Sequence, residues 1–221
     1  MSKKPPKPVA PVKKSLSRGR GIRDPLTTFH IFTEGKITEP EYIKSFYTGK
    51  CEKKKVILAP INKAAGVPMT LVEACVKKKE ELRRAAKRDS FEGNFVLWAV
   101  FDIDIHPYVD EAIALATANG IRCIVSNPCV EVWGLMHKSL YEKPSTRHQA
   151  QAELAKVLPD YHHDDNPIFP WSTCQDLVES ALTNATNSLG RREKEGQSFP
   201  KGNPSTNFHI LLEELKGDKE E

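Results

Sequence analysis

The sequence lacks the long apolar runs that a membrane-spanning helix needs. Hydrophobic residues make up 39% of its 221 positions, and no apolar stretch approaches the ~20 residues that cross a bilayer. Residues 1–14 carry lysines and prolines instead of the apolar stretch of a secretory signal. These absences predict a soluble protein, which we expect to act in the cytoplasm without a membrane partner.

Cysteine is scarce, and its spacing carries no signal. The five cysteines form an odd set with no CxxC pair, which favours neither a disulfide framework nor a structural zinc site, so we expect free thiols. No GxGxxG motif follows a strand-like segment, which argues against a nucleotide-binding Rossmann enzyme. The sequence also contains no internal repeat.

Positive charge is concentrated near the N-terminus, although the net charge of +4 is modest. Residues 1–25 are rich in Pro, Ser and Gly and have no apolar periodicity, which predicts a flexible arm. Such an arm either contacts the phosphates of a nucleic acid or serves as a solubilising tail. Its basic residues are Lys3, Lys4, Lys7, Lys13, Lys14, Arg18, Arg20 and Arg23.

From residue 26 onward, short strand-like segments alternate with longer helix-like ones. This is the pattern of an α/β protein with a mostly parallel sheet flanked by helices. The predicted strands cover 27–32, 55–59, 94–101 and 121–125, and the predicted helices between them cover 38–47, 69–88 and 108–118. The third strand is almost wholly apolar, as expected of a central strand buried on both faces. Thr38 is predicted to cap its helix.

Beyond residue 127 the pattern becomes helical. Helices are predicted at 128–139, 146–158, 173–188 and 207–215, with proline-rich loops between them. The length suits one domain with a substantial core. We therefore divide the chain into a basic arm (1–25), an α/β core (26–140), a helical C-terminal extension packed on that core (141–215) and a charged tail (216–221).

Acidic residues follow three of the four predicted strands. Glu34 follows the first strand, Asp102 and Asp104 follow the third, and Glu131 lies just past the fourth. Ligands bind at the carboxyl ends of strands in open α/β sheets. Gathered carboxylates raise one another's pKa values and cost stability unless a hard cation neutralises them. A lone DxD more often just caps a loop, but the position of Glu34 favours a site for Mg²⁺ or Mn²⁺.

Three segments carry a resemblance to a known family. They are TEGKITEP at 33–40, FDIDIHP at 101–107 and SNPCVEVW at 126–133, with NPSTN at 203–207 as a fourth point of likeness. Over about residues 27–215 the chain resembles RloB-like proteins. The resemblance implies that the predicted four-stranded sheet is a Toprim-like core and that the protein has a role in abortive resistance to phage. Similar proteins are often encoded beside an ABC-type or AAA-type ATPase, which implies such a partner, and the Toprim part is then expected to cleave DNA or RNA. The family does not settle the substrate, and tRNA is one candidate.

The resemblance also implies roles for individual carboxylates. Toprim sites share a glutamate after the first strand and a DxD after the third, and the matching positions are Glu34, Asp102 and Asp104. The aspartates would coordinate one or two Mg²⁺ or Mn²⁺ ions, while Glu34 would coordinate metal or act as general base. Glu131 and Glu39 are further candidate ligands. For Glu39, a favourable interaction with the helix dipole is an equally good explanation.

Several polar residues are candidates for substrate contacts. Lys36 would stabilise the charged phosphate in the transition state. Ser126 and Asn127 can cap the following helix, whose amides would meet a phosphate. His106 either touches a phosphate or is only a turn residue, and His137 is either structural or substrate-facing. The run 162–165 (HHDD) holds ligand-type residues, but neighbours in a polar loop rarely all face one metal.

Two hypotheses from different classes remain. The first is a metal-dependent nuclease that acts as the effector of an antiphage system. The second is a non-catalytic Toprim-like module that binds nucleic acid or a partner. The three matching carboxylates favour catalysis, because binding an anionic nucleic acid gains nothing from negative charge. A topoisomerase or primase is disfavoured because those enzymes carry Toprim within a much longer chain. The sequence is compatible with a protein that forms a homo-oligomer.

Overall fold

A computed structural model describes residues 26–51, 56–63, 66–88, 94–103 and 106–217. Within these ranges one sheet has six strands, in the order β2–β1–β4–β5–β6, with β3 paired to the end of β1. All pairings are parallel except that of β5 with β6. The strands are β1 (Thr27–Thr33), β2 (Val56–Leu58), β3 (Asn62–Lys63), β4 (Phe95–Asp102), β5 (Arg122–Asn127) and β6 (Ser205–Thr206).

Helices cover both faces of this sheet. A 3₁₀ turn at Gln175–Leu177 connects two of them. None of the helices in the described ranges combines the length and the apolar character needed to cross a membrane. The helices are α1 (Thr38–Lys50), α2 (Pro68–Ala86), α3 (Val109–Ala118), α4 (Glu131–Met136), α5 (Arg147–Val157), α6 (Trp171–Cys174), α7 (Val178–Lys194) and α8 (Phe208–Lys216).

The alternation of side chains along β4 divides the core into two layers. Trp98 and Val100 face a large layer formed with α1 and α4 to α8, whereas Leu97, Ala99 and Phe101 face a smaller layer formed with α2 and α3. Because successive residues of a strand point to opposite faces, both layers bury apolar surface against the same strand. Each fully buried side chain of this size contributes about 1.5–3 kcal/mol to the free energy of unfolding. Burial on both faces is therefore what stabilises β4 at the centre of the sheet.

An aromatic cluster in the large layer joins helices that are far apart in the sequence. Trp133 of α4 stacks on Phe208 of α8, with ring centroids 5.4 Å apart. Tyr42 of α1 meets the same two rings edge-on, at 6.0 and 5.9 Å. Edge-on and offset aromatic pairs add about 0.5–1.5 kcal/mol beyond their buried area. The cluster therefore ties the α/β core to the C-terminal residues.

The predicted architecture is confirmed at the level of a mixed α/β fold with a mostly parallel sheet between helices. The four-stranded sheet is corrected to six strands within the described part of the chain. β3 and β6 have two residues each, which is too short to leave an alternating pattern in the sequence. The five cysteines are free, as predicted. The predicted arm (1–25) and most of the tail (218–221) lie outside the described residues.

Two local predictions are wrong. Thr38 does not cap α1, because it is already the first residue of the helix. Ile37 occupies the N-cap position, and no side chain forms a capping hydrogen bond there. The helix predicted at 128–139 is shorter and spans Glu131–Met136, with Val130 before it. Residues 205–206 of the extension also add a short strand, β6, to the sheet.

The tight contact between α4 and α5 leaves no room for a side chain at Gly134, whereas Gly190 of α7 faces open space. Substituting alanine at these two positions should therefore have opposite effects on stability. An added Cβ at Gly134 would fall 2.9 Å from both Cδ atoms of buried Leu154 and 3.1 Å from Phe169. We expect Gly134→Ala to lower the free energy of unfolding by about 1–2 kcal/mol, because overpacking outweighs the gain in helix propensity. Urea unfolding followed by circular dichroism measures the change.

Gly190 provides the matched control within α7. Nothing lies within 4 Å of a Cβ added there, so Gly190→Ala should raise the free energy of unfolding by about 0.5–1 kcal/mol. Equal effects of the two substitutions would contradict the packing described for α4 and α5.

Candidate functional site

The carboxyl ends of β1, β4 and β5 meet at one edge of the sheet. Thr33 lies beside Val100, and Asp102 lies beside Ser126, so the three parallel strands end at nearly the same level. A cavity of about 300 Å³, which we call the carboxylate cavity, opens at this edge, as expected for a ligand site in an open α/β sheet. Its ionisable lining residues are Glu34, Lys36, Glu39, Asp102, Glu131, Arg147 and His163.

Glu34 connects the ends of two strands. One carboxylate oxygen, Oε2, accepts a hydrogen bond from the backbone amide of Asp102 at 3.3 Å. The other, Oε1, lies 2.9 Å from Nε2 of His106, and both side chains are largely buried. These contacts hold Glu34 in a fixed position over the end of β4.

Glu39 turns back from the first turn of α1 toward the β1 loop. Its Oε1 accepts a hydrogen bond from the amide of Gly35 at 3.1 Å, and the residue is 4% exposed. Burial raises the pKa of Glu39 to about 7, with further contributions from the carboxylates of Glu131 and Glu34, although backbone hydrogen bonds oppose the rise. A Cβ at Gly35 would fall 2.0 Å from Glu39 Oε2, so only glycine permits this approach.

Asp102 ends β4 on the face that carries α1 and α4. Burial raises its pKa well above the ordinary value, and the carboxylates of Glu39, Glu131 and Glu34 raise it further. The guanidinium of Arg147 acts in the opposite direction. The four carboxylates therefore interact electrostatically through one small volume.

Glu131 begins α4 and is held by two residues that lie about 30 positions later in the chain. Its Oε1 accepts a hydrogen bond from the hydroxyl of Tyr161 at 2.6 Å and lies 3.2 Å from Nδ1 of His163. Glu131 and Tyr161 are 2% and 1% exposed. These contacts hold Oε1 of Glu131 in a fixed position at the start of α4.

The donor chemistry of this cavity fits a hard divalent cation. Its four acidic side chains offer carboxylate oxygens, which are the ligands that Mg²⁺ and Mn²⁺ take in proteins. Within the described ranges, no three acidic, histidine or cysteine side chains form a group already arranged around a metal position. Asp104, the second aspartate of the DxD, lies outside these ranges.

The structure places the predicted substrate residues in different surroundings. Lys36 is exposed and lines the cavity, and His106 contacts Glu34. Ser126 bonds the hydroxyl of Thr206 at 2.9 Å, and Asn127 donates to the carbonyls of Pro200 and Lys201.

Ser126 and Asn127 do not cap α4, which corrects that prediction. β5 continues through both residues, which pair with β6 at Thr206 and Ser205. Their backbones therefore belong to the sheet and not to the turn that begins the helix, and neither residue lines the cavity.

His137 lies inside the large core layer and not among the cavity residues. Its Nε2 is 2.8 Å from the hydroxyl of Tyr42, and its Nδ1 is 3.0 Å from the carbonyl of Trp133. Burial lowers the pKa of His137 to about 4. This placement favours the structural alternative over a contact with substrate.

Three residues of the site were not predicted from the sequence: Arg147, Tyr161 and His163. Arg147 begins α5 and has no acidic neighbour in the sequence that would mark it. His163 belongs to the HHDD run, where the search for several ligands around one metal hid the role of a single histidine beside Glu131. Only the fold brings these residues to the strand ends.

A family model described as RloB-like protein matches residues 29–215 of the chain. The match covers most of the sequence, including every residue that lines the carboxylate cavity. No curated protein and no solved structure matches the chain.

The raised pKa of Glu39 predicts that Glu39→Gln stabilises the protein at alkaline pH. A folded-state pKa of about 7, above the ordinary 4.5, means that the contribution of Glu39 to stability is complete below about pH 4.5 and is lost as the pH rises through 7. In EDTA at pH 8, the substitution should raise the free energy of unfolding by about 1–3 kcal/mol. At pH 5 the gain should shrink.

Exposed Glu73 of α2 serves as the control for this substitution. Glu73→Gln should leave stability within about 0.5 kcal/mol of the wild type at both pH values. Urea unfolding of the three proteins tests the prediction, and a Glu39→Gln protein that is less stable at pH 8 would contradict it.

Proposed function

Because the chain belongs to the RloB-like family, we propose that it is a metal-dependent nuclease that hydrolyses a phosphodiester of DNA or RNA. One observation carries the proposal. Carboxylates from the β1 loop, α1, β4 and α4 line one cavity together with the cationic side chains of Lys36 and Arg147. This combination suits a phosphodiester, because the acidic groups hold cations and the basic groups attract phosphate.

Asp102, Glu131 and Glu39 are the described residues that would hold Mg²⁺ or Mn²⁺. Asp104 lies outside the described residues and is proposed as a further ligand from the sequence alone. A bound divalent ion would polarise the phosphate and lower the pKa of water. Glu34 is held by His106 and the amide of Asp102, where it either adds a ligand or accepts the proton of the attacking water.

Lys36 has a separate role in this proposal. It is exposed at the mouth of the cavity, where its ammonium can stabilise the additional negative charge that the phosphate gains in the transition state. The adjacent Gly35 amide is occupied by Glu39, so charge stabilisation from this loop comes from the lysine side chain.

The Toprim-like core is part of the proposal. It is supported by a glutamate directly after β1 and by a DxD motif that begins at the last residue of β4, the third of the strands predicted from the sequence. The proposed setting is abortive defence against phage in the cytoplasm, with an ABC-type or AAA-type ATPase as partner. This setting depends on the family resemblance alone.

Asp102→Asn tests the nuclease directly. We expect this variant to lose about 10²–10³-fold in cleavage of labelled DNA or RNA with Mg²⁺ or Mn²⁺, because it removes a charge on which the reaction centre depends. Exposed Asp176, in the 3₁₀ turn, gives the control Asp176→Asn, which should keep full activity. Substrates should include tRNA, and assays should be run with and without the proposed ATPase partner.

Cleavage that survives Asp102→Asn would overturn the proposed site. If the wild-type protein cleaves nothing with either metal and with the ATPase present, the binding-module alternative replaces the nuclease.

Metal binding has its own readout in thermal unfolding. Mg²⁺ or Mn²⁺ should raise the Tm of the wild-type protein, because a ligand at 100 times its Kd stabilises the folded state by about 2.7 kcal/mol. The rise should disappear in Asp102→Asn and persist in Asp176→Asn. An equal rise in all three proteins would show that the metal binds elsewhere.

A further inference from the structure

A second and larger cavity adjoins the carboxylate cavity. Its volume is about 790 Å³, and Arg147 and His163 line both cavities. The remaining side chains that matter here are His148 and Gln151 of α5 and His162 of the following loop. We call this space the histidine cavity. It lies within the 300–1,000 Å³ range of small-molecule sites.

The two cavities differ sharply in chemistry. The carboxylate cavity has four acidic side chains, whereas the histidine cavity has one arginine, three histidines and a single exposed acid, Asp164. Guanidinium and imidazole N–H groups are donors to phosphate oxygens. A phosphate that the carboxylates repel would therefore find hydrogen-bond donors in the adjacent histidine cavity.

His163, which lines both cavities, is held in place at their boundary. Nδ1 of His163 lies 3.2 Å from Oε1 of Glu131, and the side-chain amide of buried Gln151 lies 3.1 Å from the same nitrogen. His148, His162 and His163 are all exposed, and His148 and His162 line only the histidine cavity. The histidine cavity thus has a fixed boundary toward the reaction centre and two accessible imidazoles farther away.

We infer that the histidine cavity binds the nucleotide next to the scissile phosphate, with His148 and His162 as contacts to its phosphate. This inference rests on the proposed nuclease and names a subsite for its substrate. A strand that places one phosphate among the carboxylates can place the neighbouring phosphate beside Arg147 and these histidines. Arg147 and His163 border both positions.

The test measures binding separately from cleavage. A short fluorescent single strand, as DNA and as RNA, is titrated in EDTA into Asp102→Asn protein, with and without the double substitution His148→Ala and His162→Ala. We expect the double substitution to weaken binding roughly tenfold, because it removes two donors to phosphate. A nucleoside monophosphate should compete with the strand, and this competition should be lost in the double variant.

Arg84→Ala with Lys87→Ala is the matched control. Both side chains are exposed at the end of α2, on the opposite face of the sheet, and their removal takes away more positive charge than that of two histidines. Binding should stay within about twofold of the parent. Equal weakening by the control and the histidine variant would show general electrostatic attraction and would overturn the inference.

Steady-state cleavage with Asp102 intact supplies a second readout. The histidine double variant should raise KM and leave kcat unchanged, whereas damage to the fold would lower the Tm and kcat as well. Unchanged KM in a protein that cleaves would overturn the inference and leave the nuclease standing. Weakened binding in a protein that cleaves nothing would support the subsite and overturn the nuclease. Failure of the parent to bind either strand would overturn the subsite.

Discussion

The parallel pairing of β1, β4 and β5 is the constraint on which the site depends. Hydrogen bonds along these strands fix their relative register, and the apolar layers on both faces fix the sheet between the helices. Glu34 and Asp102 are brought together because their strands end at the same level. No local feature of either loop would produce this meeting, since 68 residues separate them in the chain.

The price of this arrangement is electrostatic repulsion between buried carboxylates. The amides of Gly35 and Asp102, the hydroxyl of Tyr161 and the imidazoles near the site offset part of it. These donors come from the sheet edge and from the loop after α5. These donors offset the repulsion between the carboxylates only in part. A bound cation would neutralise more of the negative charge and would therefore stabilise the folded state.

The sequence predicted those parts of the molecule that leave a periodic or clustered signal. β1 and β4 were found because they are apolar runs, and Glu34 and Asp102 because they follow those runs. β6 was not predicted because two residues are too few to show a period. Ser126 was predicted to cap α4, but β5 continues through it and pairs with β6. Arg147 and His163 were not predicted because they reach the cavity only after α5 packs on α4.

The aromatic cluster packs residues from both sides of position 140 against one another. Trp133 and Tyr42 lie before it, yet the ring on which Trp133 stacks belongs to Phe208. A fragment that stopped at residue 140 would turn this apolar face toward water and would lose the outer strand beside β5. The cavity at the strand ends therefore depends on residues from both sides of position 140, since Arg147 and His163 also line it.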